Sequence, residues 1–147
     1  MSESTERTKT QQAVTEFLEL VASGEHIISM LPMETVAVDG AELVVDLPFD
    51  AALAGPRGHL QGGVTATLAD MVAGRLAMKG LEPNQLVVTT DLTVHYLAGI
   101  KSGVARAIGA TLRSSPSSRT IRVDIYDGVD GPLAAACTLA FRVVTSG

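Results

Sequence analysis

At 147 residues the chain is long enough for one domain with a sizeable core. Sixteen acidic residues against eleven basic ones give a net charge of −5, which argues against non-specific nucleic-acid binding. Its one cysteine, Cys137, excludes an intramolecular disulfide or a cysteine-rich metal site. Hydrophobic residues make up 46% of the sequence and aromatics 3%, so Val, Leu, Ile and Ala must build the core.

The first residues, Met-Ser-Glu-Ser-Thr-Glu, are polar and acidic, and no apolar h-region follows them. No segment has the length and purity of a membrane span. The expectation is a cytoplasmic protein without a membrane partner, with a flexible tail over 1–8 and a single domain over 9–147. Between Thr10 and Ala22, the residues Ala13, Val14, Phe17, Leu18 and Val21 recur at helical spacing, and Gly24 suits a C-cap. From Ile27 to Val38 the pattern weakens, and Pro32 argues against a long central strand. Leu43, Val44, Val45 and Leu47 read as a strand ending at Pro48, followed by a loop at Gly55-Pro56-Arg57-Gly58.

Next comes Gly58-His59-Leu60-Gln61-Gly62-Gly63-Val64, then an apolar run to Gly74 broken by one acid, Asp70. A helix apolar on nearly every side is expected to be buried. A carboxylate inside it is costly to desolvate unless it is paired. Arg75 lies about 140° further round the helix, on another face. Asp70 therefore reads either as part of a narrow solvent-facing stripe or as a functional carboxylate. Gly62-Gly63 reads either as a tight loop-to-helix turn or as a cradle for a closely approaching substrate.

After Gly80 the period changes to two. Leu86, Val88, Leu92, Val94 and Tyr96 are expected on one strand face, and Val87, Thr89, Asp91, Thr93 and His95 on the other. Strands over Gly103–Leu112, around Ile121–Ile125 and through Ala134–Val144 are separated by Ser114–Ser118 and Asp127–Gly131, which predicts an antiparallel meander. A greasy helix followed by long strands predicts an α+β fold, with a curved antiparallel sheet wrapped round the helix in the hotdog manner.

Gly58-x-x-Gln61-Gly62-Gly63-Val64 followed by Leu68-x-Asp70 resembles the hotdog-fold acyl-CoA thioesterases of the PaaI-like type, a group that includes 4-hydroxybenzoyl-CoA thioesterase. Thr89-Thr90-Asp91-Leu92-Thr93-Val94-His95-Tyr96-Leu97 is similar to that family's first long strand after the helix. The resemblance covers most of residues 25–144. It implies hydrolysis of an acyl-CoA with no metal and no cofactor. Asp70 takes the place of the catalytic carboxylate, as nucleophile or general base. Gly62 matches the glycine whose N–H polarises the thioester carbonyl, and Thr89 matches a residue that helps place water. Gln61, Gly63 and His59 are the candidate substrate-binding residues. Two positions depart from the pattern: many members have His where this chain has Gln61, and Asn or Gln where it has Gly55.

Eight residues of helix separate Gly62 from Asp70, about 12 Å, so one carbonyl is unable to touch both within one chain. If both act, two subunits must build each site, which predicts a homodimer with composite sites. The resemblance implies that such dimers can pair into tetramers. Coenzyme A phosphates would favour cations at the pocket mouth, and Arg57, Lys101, Arg113 and Arg119 lie in or near loops. A non-catalytic acyl-CoA-binding module is the alternative reading. A hotdog dehydratase would show an Asp/His pair that is not evident here. There is no Gly-x-Ser-x-Gly elbow, and His26, His59 and His95 lack metal-ligand spacing.

Overall fold

The computed structural model describes residues 3–39 and 42–145. Helix α1 spans Glu3–Ser23 and is followed by a 3₁₀ turn at Ile27–Met30. Strands β1 (Glu34–Asp39) and β2 (Glu42–Pro48) come next, then a second 3₁₀ turn at Ala51–Leu53. Helix α2 covers Gly62–Ala77 and leads to β3 (Gln85–Tyr96), β4 (Val104–Ser114), β5 (Ser118–Asp127) and β6 (Leu133–Thr145). α1 is longer than the Thr10–Ala22 segment expected from periodicity and begins inside the stretch expected as a tail. The first two residues of that stretch lie outside the described residues. No helix among the described residues is long and apolar enough to cross a membrane.

The six strands form one antiparallel sheet in the order β1-β2-β4-β5-β6-β3. β4, β5 and β6 are the predicted meander. β3 precedes them in the chain but crosses over to the far edge, where it pairs along β6. With α2 packed on it, this curved sheet is the expected hotdog arrangement.

The core is aliphatic, as composition requires. Leu68, Ala69, Val72, Ala73, Leu76 and Ala77 of α2 meet inward-facing strand residues such as Leu47, Ile121, Val123, Ile125 and Leu139. The helix approaches β4 so closely that a Cβ at Gly109 would lie 2.7 Å from Val72 Cγ1 and 2.9 Å from Leu76 Cδ1. The expectation of a helix buried all round is corrected. Within one chain the sheet covers a single face, so Ala66, Asp70, Met71 and Gly74 remain half-buried.

The face assignment along β3 is also corrected. Thr89 pairs with Phe141 and Asp91 with Ala140, so Thr90 is an inserted bulge residue. A bulge shifts the alternation by one. Before it, Val87 and Thr89 point toward the helix; after it, Leu92, Val94 and Tyr96 lie opposite the inward-facing Leu139, Cys137 and Ala135. Val87 and Val94, expected on opposite faces, both pack against the core.

Candidate active site

α2 is preceded by Gln61, its N-cap, whose backbone is still extended at φ −62° and ψ 135°. Its side chain caps the helix: Oε1 accepts from the N–H of Gly63 at 2.6 Å and of Val64 at 3.3 Å. A Cβ at Gly63 would come within 3.0 Å of that oxygen, so the second glycine makes room for the cap. Among the described residues nothing accepts from the Gly62 N–H. An unpaired N–H at the positive end of a helix is a ready donor to an anion or a polarised carbonyl oxygen.

The carboxylate sits two turns further along. Thr89 Oγ1 donates to Asp70 Oδ1 at 2.9 Å. Among the described residues Asp70 Oδ2 has no partner, so one oxygen is held and the other is available. The bulge at Thr90 is what allows this pairing. It lets β3 present Thr89 to the middle of α2 and Tyr96 to its beginning.

Nothing in the sequence singles out Tyr96 as a site residue. Its hydroxyl donates to the Gly62 carbonyl at 2.6 Å, and its ring lies 3.6 Å from where a Gly62 Cβ would be. Partial desolvation, and secondarily the charge of an ionised Cys137, raise its pKa above the ordinary tyrosine value. A tyrosine in an alternating strand carries no signal of which backbone group it will meet.

The remaining expected residues are placed as follows. His59 is half-buried, and its imidazole packs so closely on Gly99 that a Cβ there would collide with it. With Tyr96, Thr65 and Leu97 it lines a cavity of about 320 Å³. Gly55 lies in a tight loop, its N–H donating to the His59 carbonyl at 2.8 Å, and residues 51–60 contain no side-chain amide. Of the loop cations, Arg119 is buried and its guanidinium donates to the carbonyls of Ser115 and Ser118, so it holds its own turn. Among the described residues no group of three or more His, Cys, Asp or Glu is placed to hold a metal ion.

Residues 57–134 match the family model described as thioesterase superfamily. A 1,4-dihydroxy-2-naphthoyl-CoA hydrolase of Listeria monocytogenes is 28% identical over 111 residues, covering 75% of this chain and 90% of that protein. The crystal structure of a mutant of thioesterase PA1618 from Pseudomonas aeruginosa superposes with a TM-score of 0.77 at 22% identity, covering 86% of this chain and 92% of the other. The BH2602 protein of Bacillus halodurans, crystallised with CoA, gives a TM-score of 0.73 at 21% identity, with 93% and 89% covered.

Proposed function

The chain belongs to the thioesterase superfamily, and on that footing we propose that it hydrolyses an acyl-CoA thioester to the free acid and coenzyme A. The observation that carries the reading is the pairing of Asp70 with Thr89 on a helix whose first N–H, that of Gly62, is left unbonded by the cap. The CoA-bound Bacillus neighbour and the CoA-ester substrate in the Listeria relative's name support the leaving group.

Hydrolysis needs an oxygen nucleophile at the carbonyl carbon and a donor where negative charge develops on the carbonyl oxygen. The Gly62 N–H, backed by the helix dipole, supplies the donor. Asp70 either takes a proton from water as the water attacks, or attacks itself and is freed by a second attack of water. In both routes the carbon–sulfur bond breaks and coenzyme A leaves as its thiolate. Thr89 fixes the carboxylate by holding Oδ1.

The two groups stand about 12 Å apart along α2, so each site combines Asp70 of one subunit with the partner subunit's Gly62. The sheet offers a surface for that dimer. β3 is a 12-residue edge strand with an open row of backbone groups, and Val88, Leu92 and Tyr96 on it are 44%, 40% and 57% exposed. A long strand edge left open is an aggregation hazard that pairing removes.

The test is thiol release from short-chain, long-chain and aryl acyl-CoAs by the wild-type protein and by Asp70→Asn. A loss of at least ~100-fold in the variant is expected for removal of a general base. Wild-type turnover in Asp70→Asn would reject the mechanism. The absence of a side-chain amide in the Gly55 loop favours a second reading, a non-catalytic acyl-CoA-binding module. Binding without thiol release from any substrate would select it.

A further inference from the structure

Beside the first turn of α2 lies a second cavity of about 320 Å³. Its apolar wall is Ile27, Met30, Leu31, Leu53 and Val64, brought together by the two 3₁₀ turns and the helix. Ile27 and Met30 are 73% and 71% exposed and stand outside the hydrophobic core. The cavity also borders Gln61, Gly63 and Thr67. The polar side chains among these are partly engaged. Gln61 Oε1 accepts two N–H bonds, and Thr67 Oγ1 donates to the Gly63 carbonyl at 2.9 Å. The lining holds no carboxylate and no imidazole.

We infer that this cavity receives the acyl chain of the substrate, and that the chain is aliphatic and free of polar substituents. The inference rests on the thioesterase reading for the position of the carbonyl, which lies at the Gly62 N–H. Gln61 and Gly63, the neighbours of that donor, both border the cavity, so a chain running from the carbonyl has a direct path into it. The adaptable thioether of Met30 at the mouth suits flexible alkyl chains of differing length. A ring hydroxyl buried here would lose its water against a mostly aliphatic wall, with Gln61 Oε1 already accepting two N–H bonds. Each buried methylene, by contrast, adds about fourfold to affinity.

The experiment is calorimetric titration of the full-length Asp70→Asn protein with acetyl-, butyryl-, hexanoyl-, octanoyl- and 4-hydroxybenzoyl-CoA. Affinity is expected to rise about fourfold per methylene along the aliphatic series until the cavity is filled. 4-Hydroxybenzoyl-CoA is expected to bind more weakly than hexanoyl-CoA. Adding Ile27→Ser and Met30→Ser, both at exposed positions, should flatten the rise while circular dichroism stays unchanged. No length dependence, a rise unaltered by the serine pair, or tighter binding of the hydroxyaryl compound would overturn the inference. Thiol release by the wild-type protein is read separately. If nothing is cleaved, the hydrolytic reading fails, and the chain-length dependence of binding still decides what occupies the cavity.

Discussion

The Tyr96 hydroxyl donates to the Gly62 carbonyl at 2.6 Å, tying the last residue of β3 to the first residue of α2. The bond constrains Gly62 from its carbonyl side while the N–H of the same residue stays unpaired. On the proposed mechanism Tyr96 is a positioning residue for the donor.

For Tyr96→Phe we expect kcat to fall roughly 2- to 12-fold, the range of a neutral hydrogen bond, with KM nearly unchanged. Steady-state kinetics on one acyl-CoA checks this. A change confined to KM would mean that Tyr96 serves substrate binding alone.

Thr89 holds a charged oxygen, and hydrogen bonds to charged groups are stronger than neutral ones. Thr89→Ala should lower kcat by about tenfold or more, and Thr89→Ser should recover most of the loss because it keeps the hydroxyl. Equal rates for Ala and Ser would assign Thr89 to packing.

Gly62 is the first residue of α2, a position where proline is well tolerated. Gln61 before it is already extended, as a residue preceding proline must be. Gly62→Pro should therefore keep the fold while removing the N–H, with a loss of about 100- to 1,000-fold in kcat. Mixing unfolded Gly62→Pro with Asp70→Asn and refolding the two together tests the composite site. A mixed dimer has one site with both wild-type groups, and random pairing makes half the dimers mixed, so about a quarter of wild-type activity should return. No recovery would place each site within a single chain.

Burial, and secondarily the charge of Asp124, push the Cys137 thiol from 9.0 up to about 11. The unfolded chain then gives up its proton first as pH rises, so stability is complete below about 9 and is lost progressively toward about 11. The loss from this group is roughly 2–3 kcal/mol by the top of that window. Urea denaturation across pH 8–11 should show the decline in the wild type and a shallower one in Cys137→Ala, with ~pH 8 as the reference.

Periodicity and residue type carried much of the molecule. The aliphatic core, the α2 helix, the β4–β6 meander and the hotdog arrangement follow from local patterns of apolar spacing and turn residues, which are written in short windows of sequence. The Gly62-Gly63 and Asp70 motif was legible for the same reason. Tertiary structure alone decided the rest. β3 sits at the sheet edge because its partner is the last strand, far along the chain, and no local signal specifies that pairing. The bulge at Thr90 reverses the alternation that the sequence implies, bringing Thr89 to Asp70 and Tyr96 to Gly62. Gln61 became a helix cap because its side chain could fold back over a glycine, which composition does not reveal. Spacing along one helix could show that Gly62 and Asp70 are too far apart to share a carbonyl, because helical rise is fixed by the backbone. Which groups stand beside each of them depended on contacts between distant segments, and those form only when the whole sheet closes over the helix.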